Sequence, residues 1–165
     1  MDLYILRHAE AVEREKFKRV HDADRPLTEN GIKKMKKIAQ AMLHLGLEFD
    51  AILSSPYMRA KDTAQIVGEA FECKSIIKLT PHLVIAGSPA DLVKQINEEY
   101  SGKGQILLVG HEPYLSNLIS VLISGREDVF IKLRKSGICK LSVEKLRLGK
   151  CATLEWLMGP SQLFL

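Results

Sequence analysis

Short apolar runs alternate along this chain with longer amphipathic stretches. Leu3-Tyr4-Ile5-Leu6, Ala51-Ile52-Leu53-Ser54 and Gln105 to Gly110 have the nearly unbroken apolar character of central strands in a parallel sheet covered on both faces, and Ser75 to Leu79 reads as a further strand. Between them, Ile32, Met35, Ile38, Ala39, Met42 and Leu45 recur at helical spacing. Thr28 is placed to cap that helix, with Glu29 in its first turn, and Gly46 ends it. Ser55-Pro56 joins a capping serine to a proline at the first helical position. It predicts a helix to about Ala70 that buries Ala60, Thr63, Ala64, Val67 and Phe71, with Arg59 in its first turn at the margin of that face. Ser88-Pro89 repeats the signal for a helix to about Tyr100, and another helix, apolar around most of its circumference, runs from about Pro113 to Ser124.

Beyond Ser136 the period changes. Cys139, Leu141 and Val143, then Ala152, Leu154, Trp156 and Met158, alternate on either side of Leu146 to Gly149, as in an antiparallel hairpin. The order predicts an α/β three-layer sandwich: a mostly parallel central sheet with helices on both faces, closed by a C-terminal antiparallel β-hairpin along one side of the sheet. One domain is expected over residues 1–165. Glu10 to Leu27 is charged and has no sustained apolar period, so it is expected to be a mobile loop near the end of the first strand.

Composition narrows the function. Net charge is only +4, and the densest basic cluster, Lys33-Lys34-Met35-Lys36-Lys37, falls on a helix as a solvated face. With aromatics at 6%, the basic stripe with stacking residues that nucleic acid requires is missing, so no nucleic-acid partner is expected. The chain starts in a strand without a basic-then-apolar leader and has no run of membrane-spanning length, so a soluble, cytoplasmic protein without membrane contact is expected. Cys73, Cys139 and Cys151 are odd in number, widely spaced and read as buried thiols. Neither a zinc spacing nor HExxH is present, so no metal or cofactor is expected.

The chemistry sits at strand ends. Arg7-His8 follows the first strand and His111 follows Val109-Gly110, so both imidazoles reach the carboxyl edge of the sheet, where sites gather in open α/β folds. Arg59, in a first helical turn where a cation is mildly disfavoured by the helix dipole, can face the same place. Two histidines and two arginines converging from distant parts of the chain suit a phosphoryl group, with one imidazole as nucleophile. Taken alone, each has a plainer reading: a core or capping histidine, a surface arginine.

Arg7-His8-Ala9-Glu10, Leu27-Thr28-Glu29-Asn30-Gly31, Ser54-Ser55-Pro56-Tyr57-Met58-Arg59-Ala60 and Val109-Gly110-His111-Glu112-Pro113, in that order and context, resemble the histidine phosphatase superfamily over nearly the whole chain. The short form resembles its SixA-type phosphohistidine phosphatases. The resemblance implies a phosphoglycerate mutase-like fold and His8 as a nucleophile that forms a phosphohistidine intermediate. It also implies that Arg7, Arg59 and His111 bind the phosphoryl oxygens.

Two departures stand out. Ala9 replaces the usual glycine, which puts the local backbone geometry in question. Thr80 to Ser88, where many relatives place a glutamate acid, has no carboxylate. An alkoxide leaving group needs a proton donor, whereas a phosphorylated imidazole leaves readily, so the missing acid favours a phosphorus–nitrogen bond. The same stretch is too short for a cap and predicts an open, shallow pocket. The expected function is therefore metal-independent phosphohistidine phosphatase activity on a phosphorylated protein, such as a phosphotransfer domain or a phosphocarrier, by a monomer. Alternatives are a phosphomonoesterase or small phosphomutase acting on sugar or glycolytic phosphates, and a non-catalytic phosphoprotein-binding module. His82 is a candidate substitute acid; Glu10 and Glu112 are candidates to orient an imidazole. A loop histidine after proline is more often simply solvated, the two glutamates read at least as well as exposed loop carboxylates, and His21, in the charged loop, and His44, off the apolar stripe of its helix, read as surface residues. Arg25-Pro26 and the group Lys132, Arg134 and Lys135 are candidate contacts for an acidic partner.

Overall fold

The computed structural model describes residues 1–17 and 21–164. Four parallel strands, β1 (Asp2–Arg7), β2 (Ala51–Ser54), β3 (Ile77–Leu79) and β4 (Gln105–Gly110), join β5 (Ile138–Val143) and β6 (Ala152–Met158) in one mixed sheet of order β3-β2-β4-β1-β5-β6. β5 runs antiparallel to β1, and β6 to β5. Strand alternation sorts the core into two halves. Tyr4, Leu6, Ile52, Leu107 and Val109 face α1 (Glu29–His44), α2 (Met58–Ala70) and the short α5 (Pro160–Leu163). Leu3, Ile5, Leu53, Ile106 and Leu108 face α3 (Pro89–Glu99) and α4 (Tyr114–Ser124). This is the expected α/β sandwich with the hairpin along one side. Among the described residues, no helix is long and apolar enough to cross a membrane.

The topology creates the site. The crossover through α1 carries the chain from β1 toward β2, while that through α3 carries it back from β3 to β4. Right-handed connections in opposite directions place their helices on opposite faces. β1 and β4 are neighbours, with Arg7 opposite Gly110, and the chain leaves them in different directions. A crevice therefore opens beyond their carboxyl ends.

Several local expectations change. Thr28 caps α1, its Oγ1 accepting from the Gly31 N–H at 2.9 Å. Ile32 and Leu45 are exposed, however, and Gly31 is buried in the stripe. A Cβ at Gly31 would collide with the Glu10 carbonyl, so glycine lets α1 close on the chain that follows His8. α2 starts at Met58 instead of Ser55-Pro56, because the Ser55 hydroxyl is drawn into contacts with Tyr57 and His111. Phe71, just past the end of α2, is only half-buried. β3 has three residues, since Lys74–Ile76 forms a 3-10 turn. In the hairpin, a bulge opposite Lys140 and Leu141 shifts the parity of β6. Trp156 and Met158 consequently pack with α1 and α2, Ala152 packs with α3 and α4, and Leu154 is exposed. Cys139 is buried, whereas Cys73 and Cys151 are half-buried. The stretch expected to be a mobile loop contains an Ala11–Leu27 bridge and 3-10 turns at Arg14–Phe17 and Asp22–Asp24; its residues 18–20 lie outside the described residues.

Candidate active site

Three local structures converge on the crevice. The ladder between β1 and β4 extends one residue further, the His8 N–H donating to the Gly110 carbonyl at 3.1 Å, which sets the His8 and His111 ring centroids 5.1 Å apart. Past His8, the Ala9 N–H donates to Thr63 Oγ1 at 3.0 Å, and that hydroxyl donates to the Arg59 carbonyl at 2.6 Å. The first turn of α2 is thus tied to the chain after β1, and Arg59, only 1% exposed, brings Nε to 3.3 Å from His8 Nε2. On the other side Ser136, at φ 59°, directs its N–H to the Arg7 and His8 carbonyls at 3.1 and 3.3 Å. The Leu133 carbonyl accepts from Arg7 Nη1 at 3.0 Å. Arg7, His8, Arg59 and His111 are brought to one place.

Ala9 fits without the glycine. Only Glu72 and Ser136 among the described non-glycine residues have positive φ, so Ala9 is in an ordinary backbone region, with its side chain fully buried. Its carbonyl lies 2.7 Å from His8 Nδ1. A carbonyl can only accept, so Nδ1 carries the hydrogen and Nε2 keeps its lone pair. Burial pushes the His8 imidazole down to about 3 against the pull of the Ala9 carbonyl, and His111, Arg59 and Arg7 lower it further by charge. Burial and the charge of Arg59 likewise bring His111 to about 3. Both rings are neutral at neutral pH.

His111 Nε2 meets Ser55 Oγ at 2.8 Å, and that oxygen already accepts from the Tyr57 N–H. That hydroxyl has no acceptor other than Nε2 among the described residues, and in the tautomer that takes its hydrogen there the His111 hydrogen sits on Nδ1. Among the described residues, His111 Nδ1 and Arg7 Nε are buried without a hydrogen-bond partner. Two buried polar nitrogens without partners, next to an imidazole nitrogen that accepts from Arg59 Nε, suit the binding of an anion.

Asp22, which the sequence reading did not single out, completes the site. Its carbonyl accepts from Arg59 Nη1 at 2.7 Å and its Oδ2 from Nη2 at 2.9 Å, while Oδ1 accepts from Arg25 Nε at 3.2 Å. Burial raises the Asp22 carboxyl, but Arg59, by charge and hydrogen bond, and then Arg25 outweigh it and hold the group below the usual aspartate range. The site is less open than the short Thr80–Ser88 stretch implied, since both imidazoles are buried and the Asp22–Asp24 turn is held against Arg59. Arg25, a candidate contact for an acidic partner, instead bonds Asp22 and the Val12 carbonyl.

Neither glutamate orients an imidazole. Glu10 accepts from Asn30 Nδ2 at 2.9 Å, and Glu112 turns back to accept from the Ser116 N–H and hydroxyl in the first turn of α4. The Ala9 carbonyl, being next in sequence, reaches His8 without a side chain. His82 is half-buried on a 3-10 turn with its backbone N–H on Thr80 Oγ1, and its ring has no hydrogen bond to the four cradle residues. His21 and His44 are exposed. Among the described residues, no three His, Cys, Asp or Glu side chains gather closely enough to hold a metal.

Residues 3–83 match the family model described as histidine phosphatase superfamily (branch 1). An uncharacterized protein of Picosynechococcus sp. is 34% identical over 148 residues, covering 86% of this chain and 84% of its own length. Phosphohistidine phosphatase SixA of Escherichia coli strain K12 is 26% identical over 165 residues, covering 99% and 96%. A solved structure of the protein histidine phosphatase SixA complexed with tungstate superposes with a TM-score of 0.84 at 24% identity, covering 99% of both chains.

Proposed function

Since the chain belongs to the histidine phosphatase superfamily and is a phosphatase, we propose that it removes phosphoryl groups from phosphohistidine in proteins, without a metal, through an intermediate on His8. The observation that carries this reading is the state of the carboxylates around the cradle. Asp22 is committed to two arginines, Glu10 to Asn30 and Glu112 to Ser116. A carboxylate held ionised by guanidinium groups is a poor proton donor, and the other two are turned to local partners. The site is suited to a leaving group that needs no acid, and a phosphorylated imidazole protonated on its other nitrogen is such a group.

The steps use atoms already in place. His8 Nε2 attacks phosphorus in line. The phosphorus–nitrogen bond of the substrate breaks, its electron pair returning to the departing imidazole, and the phosphoryl group passes to Nε2. Charge developing on His8 is shared through Nδ1–H with the Ala9 carbonyl. Arg59 Nε, Arg7 Nε and His111 Nδ1 supply donors to the equatorial oxygens, where phosphoryl transfer draws most of its stabilisation. Water then attacks phosphorus, the bond to Nε2 breaks, and inorganic phosphate leaves. A signalling phosphotransfer domain or a sugar-uptake phosphocarrier is the kind of cytoplasmic protein that presents such a group.

The test compares turnover, with EDTA present, of a phosphohistidine protein and a set of phosphate monoesters, with His8→Ala as blank, together with acid-quench-free trapping of labelled enzyme. Preference for the phosphohistidine protein and label on wild type but not on His8→Ala are expected. Equal or better turnover of monoesters would overturn the substrate reading, and absence of label at any time in turnover would overturn the intermediate.

A further inference from the structure

After α4 the chain returns to the site along residues 126–136 without joining the sheet. It is pinned at two points: the Val129 N–H donates to Ser120 Oγ on α4 at 3.0 Å, and the Leu133 carbonyl holds Arg7 Nη1 at 3.0 Å. Around these points the side chains alternate as extended chain requires. Leu133 is buried and Ile131 half-buried, while Phe130, Lys132 and Arg134 are exposed. Phe130 stands wholly in solvent, with a relative exposure of 103%. Residues 130–135 carry three cations and no acid. The acids just before them are turned to local partners, Glu127 to Asn117 and Asp128 to Arg126 and Ser124.

We propose that residues 130–135 are a docking strip for the phosphorylated protein substrate, Phe130 entering an apolar socket while Lys132, Arg134 and Lys135 face acidic residues around the phosphohistidine. The inference rests on the phosphoprotein reading above and adds where the partner sits and what it presents. Position and charge select this occupant. Phe130 is three residues, at most about 10 Å of extended chain, from the carbonyl that holds Arg7. A folded partner covering about 800 Å² reaches the strip whenever its phosphohistidine reaches His8, whereas a small metabolite cannot touch both. An exposed aromatic flanked by cations is a binding anchor with a steering rim, and the rim selects an acidic surface.

The test uses the full chain and two probes: an acidic histidine phosphotransfer domain phosphorylated with phosphoramidate, and free N-phosphohistidine. Phe130→Ala is expected to raise KM for the protein by about tenfold, with kcat and the turnover of free phosphohistidine unchanged. The double variant Lys132→Glu/Arg134→Glu is expected to weaken the protein reaction most at low salt and flatten its salt dependence. Thermal melts verify that both variants are folded. An unchanged KM for the protein, or equal losses on both substrates, overturns the strip while leaving the phosphoprotein reading intact. A wild-type enzyme that cleaves free phosphohistidine or monoesters but leaves the phosphorylated domain untouched overturns that reading, and the strip with it.

Discussion

Replacing Asp22 by alanine tests whether the Arg59 fork depends on its carboxylate. The Arg59 side chain is 2% exposed and that of Asp22 27%, so the pair lies at the inner edge of solvent. Asp22→Ala removes the acceptor of Arg59 Nη2 and that of Arg25, while the backbone carbonyl on Nη1 remains. Breaking a buried ion pair costs about 3–5 kcal/mol, and losing one charge-assisted hydrogen bond about 1.5–3 kcal/mol. With Asp22 partly solvated and one acceptor retained, the lower range applies, so a loss of about 2 kcal/mol is expected in urea unfolding at neutral pH. Inorganic phosphate, by supplying Arg59 with a new partner, should recover more stability in the variant than in wild type. The Asp22 pKa is lowered in the fold, so its contribution is fully present above the unfolded value of 3.8 and is lost only as pH falls through the lower folded value. The gap between wild type and variant should therefore hold from neutral pH to about pH 4 and close below it. A gap that widens as pH falls from about 7 to 5 would refute the argument, because a carboxyl that takes up its proton in the folded state over that range has a raised pKa and is able to serve as the proton donor denied above.

Burial lowers both His8 and His111 from 6.5 to about 3, so their imidazole resonances should show no titration between about pH 8 and 5. These depressed values mean that the unfolded chain takes up protons first, so the two rings favour folding above about 6.5 and that stability drains away as pH falls toward 3. A ring titrating near 6.5 in the ligand-free protein would contradict the burial argument. His111→Ala removes one orphaned donor from the cradle and should lower kcat by about 10²–10³ with labelling of His8 retained, as single-turnover kinetics would show. Tyr114 has a buried hydroxyl without a partner among the described residues. Tyr114→Phe should be neutral or stabilising by up to about 1 kcal/mol, read from the urea midpoint, and a loss of more than that would reveal a partner.

What the chain discloses in advance depends on how local its causes are. β1 and β4 were readable because burial on both faces demands unbroken apolar runs, and the Thr28 and Ser88 caps because a cap and its N–H lie three residues apart. The Ser55-Pro56 signal obeyed the same local rule and failed, since the hydroxyl found His111, 56 residues away. A single bulged residue reversed the faces of β6, and a period-two pattern carries no sign of it. Asp22 was invisible for a related reason: among the acids of Glu10 to Leu27, nothing in sequence separates it from its neighbours, and only the fold sets it 2.9 Å from Arg59. The cradle itself was legible because four residues at strand and helix starts need only the α/β topology to meet.

The charges explain why Asp22 does not spoil an anion site. Arg7 and Arg59 border two neutral imidazoles, and the carboxylate on Arg59 is matched on its other oxygen by Arg25. Counting those groups together with Glu112, whose charge also acts on Arg7, three guanidinium charges less two carboxylates leave one positive charge facing a phosphoryl dianion. Without Arg25 that surplus would vanish. With His8 protonated it would rise to two, but the nucleophilic lone pair would be gone. Keeping the imidazoles neutral by burial and the guanidinium groups charged by pairing thus serves the same end: electrostatic attraction is supplied by groups that do not react, and the nitrogen that reacts stays unprotonated.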